Sequence, residues 1–142
     1  RSVLFPAFAA FDAPNREECT VRRPRTNTPL QAFVLLNDAT FVESARVFAE
    51  RVLREGGNNF ESQIGFAMEI ALARPPSSSE RSVLQSLLTD MFMHYRRKPE
   101  EAQNIIATGE WPISKDFDPV TLAAWTSVAQ AILNLDEMQT KE

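Results

Sequence analysis

Cysteine occurs once in this sequence, histidine once and glycine four times. The lone thiol, Cys19, permits no internal disulfide and no C-x-x-C or C-x-x-C-H arrangement, so neither a paired-thiolate metal site nor covalent haem attachment is written here. With a single imidazole, His94, a transition-metal site would have to draw most of its ligands from carboxylates, and no metal-ligand spacing is present. Long apolar runs are missing too. The stretch from Val3 to Phe11 is interrupted by Pro6 and falls far short of the ~20 residues that cross a bilayer, so no membrane span is expected. Positive charge is also scarce: a net charge of -4 with a pI near 5.1 argues against a nucleic-acid module, which needs clustered Lys and Arg to displace counterions.

What is present suits a folded domain. The chain of 142 residues is long enough for a real core, since a domain of that size removes roughly 68–70% of its unfolded surface from water. With 44% hydrophobic and 24% charged residues it is neither disordered nor fibrous in composition. Its charge is uneven. Residues 1–28 hold five arginines (Arg1, Arg16, Arg22, Arg23, Arg25) against three acids (Asp12, Glu17, Glu18), a surplus of +2, which leaves -6 for the remainder.

From Arg1 to Thr28 no period holds, because Pro6, Pro14, Pro24 and Pro29 interrupt it; this reads as an irregular lead-in packed on the helices that follow. Asn27-Thr28-Pro29 is a helix-start signal for a short helix through Leu36, and Asn37-Asp38 offers a second cap. Phe41, Ala45, Phe48, Ala49 and Val52 then form one apolar stripe, with Glu50 and Arg54 expected on the outer face and Gly56-Gly57 as the stop. A third helix, capped by Asn58 or Asn59, carries Phe60, Ile64, Ala67, Met68, Ala71 and Leu72, and Arg74-Pro75-Pro76 ends it. Ser77 with Glu80 has capping-box spacing ahead of the face Val83, Leu84, Leu87, Leu88, Met91, Phe92, Tyr95. A shorter helix restarts at Lys98-Pro99 with Ala102, Ile105 and Ile106. The last opens at Asp118-Pro119 and is apolar nearly all round, leaving only a stripe of Ser127, Gln130 and Asn134, which marks it as buried. The expected fold is therefore all-α: a single compact helical bundle of about five to six helices, one domain over 1–142, with the irregular segment 1–28 in front.

Chemistry is harder to find. Cys19 and His94 are the one thiol and base, but His94 sits between Met93 and Tyr95 on a packing helix, so a partly exposed histidine and an unreactive thiol are expected. Nucleotide-loop and nucleophile-elbow motifs are absent, so no catalytic residue is assigned. Asp118 is explained as a helix cap, whereas Asp136-Glu137 either forms a solvated or salt-bridged helix end or contributes to a site. The least explained stretch contains Asp12, Arg22, Arg23, Arg25 and Asn27. Its arginines can form a fork-shaped receptor for carboxylate, sulfate or phosphate groups, or pin irregular backbone to helix ends and acids; the spacing leaves both open.

Those residues also carry a resemblance. Phe11-Asp12-Ala13-Pro14, Cys19, Arg22-Arg23, the run Thr26-Asn27-Thr28-Pro29-Leu30-Gln31-Ala32, Leu35-Leu36-Asn37-Asp38, and the closing Trp125 and Ala131-Ile132-Leu133-Asn134-Leu135-Asp136-Glu137 resemble the C-terminal planctomycete-specific domain of unknown function. Asn15 and Met138 depart from it, at places where an acid and an aromatic are common. The resemblance implies that this is the C-terminal portion of a longer domain in an exported or periplasmic protein, often downstream of a cytochrome-c-like domain. Any haem would then lie elsewhere in the parent, with no cofactor in this chain and upstream domains as partners.

Two further function classes stay open beside a non-catalytic interaction module. One is a polysaccharide- or anion-binding or hydrolytic site on Asp12, Arg22, Arg23, Arg25 and Asn27 with Asp136 or Glu137; the other is a redox partner docking on a haem domain.

Overall fold

The computed structural model describes residues 29–139, and among them every regular element is a helix. In chain order these are α1 (Pro29–Asn37), α2 (Ala39–Glu55), α3 (Phe60–Leu72), α4 (Ser78–Arg97), α5 (Pro99–Ile106), α6 (Pro119–Leu133) and α7 (Asp136–Gln139). Six correspond to the periodic segments of the sequence. The seventh, α7, is one turn too short to leave a periodicity. The lead-in 1–28, with Asp12, Cys19, Arg22, Arg23, Arg25 and Asn27, lies outside the described residues.

The helix starts follow from capping chemistry. Side chains of Asp38, Asn59 and Asp118 accept from the backbone N–H groups of Thr40, Ser62 and Thr121, each at 2.9 Å, satisfying donors that have no partner within the helix. Ser77 and Glu80 close a reciprocal box: Ser77 N–H donates to Glu80 Oε2 at 2.7 Å and Glu80 N–H to Ser77 Oγ at 3.3 Å. The ends are less simple than the sequence suggests. Gly56 keeps an ordinary φ of -77°, and it is Gly57, at φ +89°, that turns the chain after α2. At the end of α3 the left-handed position falls on Ala73 (φ 55°), a conformation that costs a non-glycine residue about 1–2 kcal/mol. The Pro75-Pro76 pair, unable to continue the helix, follows after Arg74.

The core is organised around α6. Leu122, Ala123, Ala124, Trp125, Thr126, Val128, Ala129 and Ile132 are all buried, and α6 packs mainly against α2, α4 and α5. Alanines at 123, 124 and 129 bring the neighbouring backbones close. Larger side chains fill the rest: Ile64 and Met68 from α3, Leu84 and Tyr95 from α4 and Ile106 from α5, with the Phe60 and Trp125 rings 6.2 Å apart. Each fully buried aliphatic or methionine side chain contributes about 1.5–3 kcal/mol relative to exposure.

Two expectations about faces are corrected. Val83 is 66% exposed, so the α4 face that meets the core begins at Leu84; Leu87, Leu88, Met91 and Phe92 are half-buried against it. Glu50 does not stand on the outer face of α2 beside Arg54. It is buried, and its partner is Arg46.

Candidate functional site

Of the candidate binding residues Asp12, Arg22, Arg23, Arg25, Asn27, Asp136 and Glu137, only the last two fall within the described region, both in the first turn of α7 and both exposed. Glu137 is engaged by Arg74, from the turn between α3 and α4. Arg74 Nε and Nη2 donate to its two carboxylate oxygens at 2.8 and 2.7 Å, while Nη1 and Nη2 donate to both oxygens of Glu80 at 3.0 and 2.7 Å. One planar guanidinium thus grips two carboxylates bidentately, a geometry its fork of donors suits. The hydrogen bond from Arg74, reinforced by those from Ser77, holds the Glu80 carboxyl down to about 2, and Arg74 lowers that of Glu137 in the same direction. The Asp136-Glu137 pair is a salt-bridged helix end at Glu137.

A second polar cluster lies on α2. Arg46, with no exposed side-chain surface, lies 2.6 Å from Glu50, and its Nη2 donates to the Trp111 carbonyl at 2.7 Å while Nη1 reaches the Pro112 carbonyl at 3.4 Å. Glu50 in turn accepts from Ser114 N–H at 3.4 Å, and Glu43, two turns earlier on α2, accepts from Trp111 N–H. Among the described residues Arg46 Nε has no hydrogen-bond partner. A row of three α2 side chains therefore binds the backbone of residues 111–114, taking up both N–H and C=O of Trp111. What remains for solvent is apolar: Trp111 is 63% and Ile113 40% exposed, with exposed Pro112 between them. The signal was in the sequence. Glu43, Arg46 and Glu50 stand at i, i+3 and i+7 on one helix face, bordering the buried Ala45 and Ala49.

His94, half-buried on α4, meets Glu101 of α5 at 2.6 Å, and Lys98 holds the other oxygen of Glu101 at 2.6 Å. Hydrogen bonds from Lys98 and then His94 lower the Glu101 carboxyl, and Glu101 raises Lys98. Beside them is a shallow depression of about 440 Å³ lined by Asp90, Met93, His94, Arg97 and Lys98. Here the imidazole bridges two helices. Among the described residues no three His, Cys, Asp or Glu side chains converge as a metal site.

A family model described as PSD1, a protein of unknown function (DUF1553), matches residues 1–88. The chain belongs to the PSD1 family. That match takes in the lead-in, α1 to α3 and the first half of α4, and so contains the Arg46–Glu50 pair and the Arg74–Glu80 joint but neither the 111–114 loop nor α7. No curated protein and no solved structure matches the chain. In this PSD1 chain no described helix is long and apolar enough to cross a membrane.

Proposed function

We propose that this chain is a non-catalytic helical interaction module, docking onto upstream parts of a large exported planctomycete protein that also carries a cytochrome-c-like domain, where any haem would reside. The observation that carries the reading is the ledge Trp111-Pro112-Ile113. The Trp111 N–H and C=O and the Pro112 C=O are turned inward to Glu43 and Arg46, while the ledge's side chains stay exposed. An exposed tryptophan on immobilised backbone loses little further freedom on binding, which is what an interface anchor requires. A sugar ring would need hydrogen-bonding groups beside the indole, and the nearest backbone groups are already spent on α2. An apolar pocket on a protein suits the ledge better. Leu30, Phe33 and Leu36 of α1, exposed at 59%, 64% and 45%, add a second apolar surface.

The test is calorimetric titration of the parent's upstream region with this chain. Trp111→Ala is expected to weaken binding about thirtyfold or more, as loss of an interface hot spot does, while Val83→Ala, at an exposed site on α4, leaves it unchanged. Turnover of a chromogenic ester, glycoside or sulfate ester by the chain, or absence of binding in the unsubstituted protein, would overturn the proposal.

A further inference from the structure

The two arginine-centred clusters are built differently, and the difference points to a moving part. Arg46 is sealed, so withdrawing Glu50 would strand a buried charge. Arg74 is a third exposed and has two carboxylates where one would serve. Its two partners are not equivalent. Glu80 is tied into the start of α4 by the box with Ser77, whereas Glu137 has 57% of its side chain in solvent and, among the described residues, pairs with Arg74 alone. Releasing Glu137 therefore leaves Arg74 neutralised by Glu80 and costs no orphaned charge.

What Glu137 holds is slight. α7 is four residues, too short to be helical on its own account, and rests on α3 and α6. Leu135, just before it, reaches the core and is half-buried, while Met138 is 38% exposed. The backbone from 134 onward is fastened by Asn134 N–H to the Gln130 carbonyl at 3.0 Å, Leu135 N–H to the Ile132 carbonyl at 3.2 Å and Met138 N–H to the Leu135 carbonyl at 2.9 Å, all within the chain's own local turns.

We propose that residues 134–139 form a releasable strap, clasped to the α3–α4 turn by Arg74–Glu137, which opens as a unit while the rest of the bundle stays folded. Opening withdraws Leu135 from the edge of the core and bares the adjoining apolar surface of α3 and α6. Because the clasp is exposed on the Glu137 side, ionic strength governs it.

Amide hydrogen exchange on the whole chain tests this. Glu137→Gln, and separately 0.5 M salt without any substitution, are each expected to speed exchange at Leu135 and Met138 about three- to tenfold, with amides inside α2, α4 and α6 unchanged and the melting temperature nearly constant. Glu80→Gln is expected to disturb the first turn of α4 instead. Unchanged exchange at 135 and 138 in both conditions would overturn the proposal, as would acceleration that spreads equally through α3 and α6. These readouts are independent of whether Trp111 binds a partner.

Discussion

Arg46 Nη1 and Glu50 Oε1 lie 2.6 Å apart one turn along α2, with side-chain exposures of 0% and 8%. An ion pair this deep has lost most of its hydration, and its attraction only offsets that loss while both members are present. Here it has a second task, because the same two groups hold the carbonyls of Trp111 and Pro112 and the N–H of Ser114.

Removing one member should therefore be far worse than removing both. Glu50→Ala is expected to lower unfolding free energy by about 3–5 kcal/mol, the usual consequence of an uncompensated buried charge. The double change Arg46→Met with Glu50→Leu should recover most of it, since no charge is left behind and the freed loop carbonyls can turn to water. Urea denaturation of both variants decides the matter; equal losses would show that the pair acts through packing alone.

Two glycines give opposite expectations for the same substitution. Gly109 adopts φ +97°, and an added Cβ would run into the Glu43 carboxylate that receives the Trp111 N–H, so Gly109→Ala should cost more than about 1 kcal/mol. Gly65 lies inside α3 with open space where its Cβ would go, and Gly65→Ala should stabilise by about 0.5–1 kcal/mol. Thermal melts of the two variants, run side by side, test the direction of each.

The acid limb of the stability profile should belong largely to Arg74. The Glu80 carboxyl is lowered from 4.5 to about 2, so the folded state holds its proton more weakly than the unfolded chain does. That contribution is complete above pH 4.5 and is lost as the pH falls toward 2; the lowered Glu137 acts in the same sense. Glu80→Gln should flatten the decline in that window. A variant whose stability falls as steeply as the parent's between pH 4.5 and 2 would assign the effect elsewhere.

Much of the architecture could be read directly. Caps at Asp38, Asn59, Ser77 and Asp118 are where local chemistry places them, because a cap involves residues two or three apart and needs no distant partner. The burial of α6 followed from the width of its apolar surface. The candidate site was less legible. Glu137 stands out in the sequence as one of a pair of acids, but its grip on Arg74 spans 63 positions, and no local pattern marks Arg74 as the partner. The i, i+4 spacing to Arg54 points Glu50 to the outer face, yet Arg46, one turn earlier, offers the same spacing. Spacing along a helix cannot choose between two such partners.

The sequence by itself determined an all-α fold for residues 29–139 with α6 in its interior, and residues enough for PSD1 membership, since periodicity, caps and family motifs are properties of short stretches. Only the tertiary structure decided which charges are buried. An α-helix presents its polar side chains at intervals of three and four whatever lies opposite, and it is the loop from 109 to 117 closing over α2 that turns Glu43, Arg46 and Glu50 from a surface row into the anchor of Trp111.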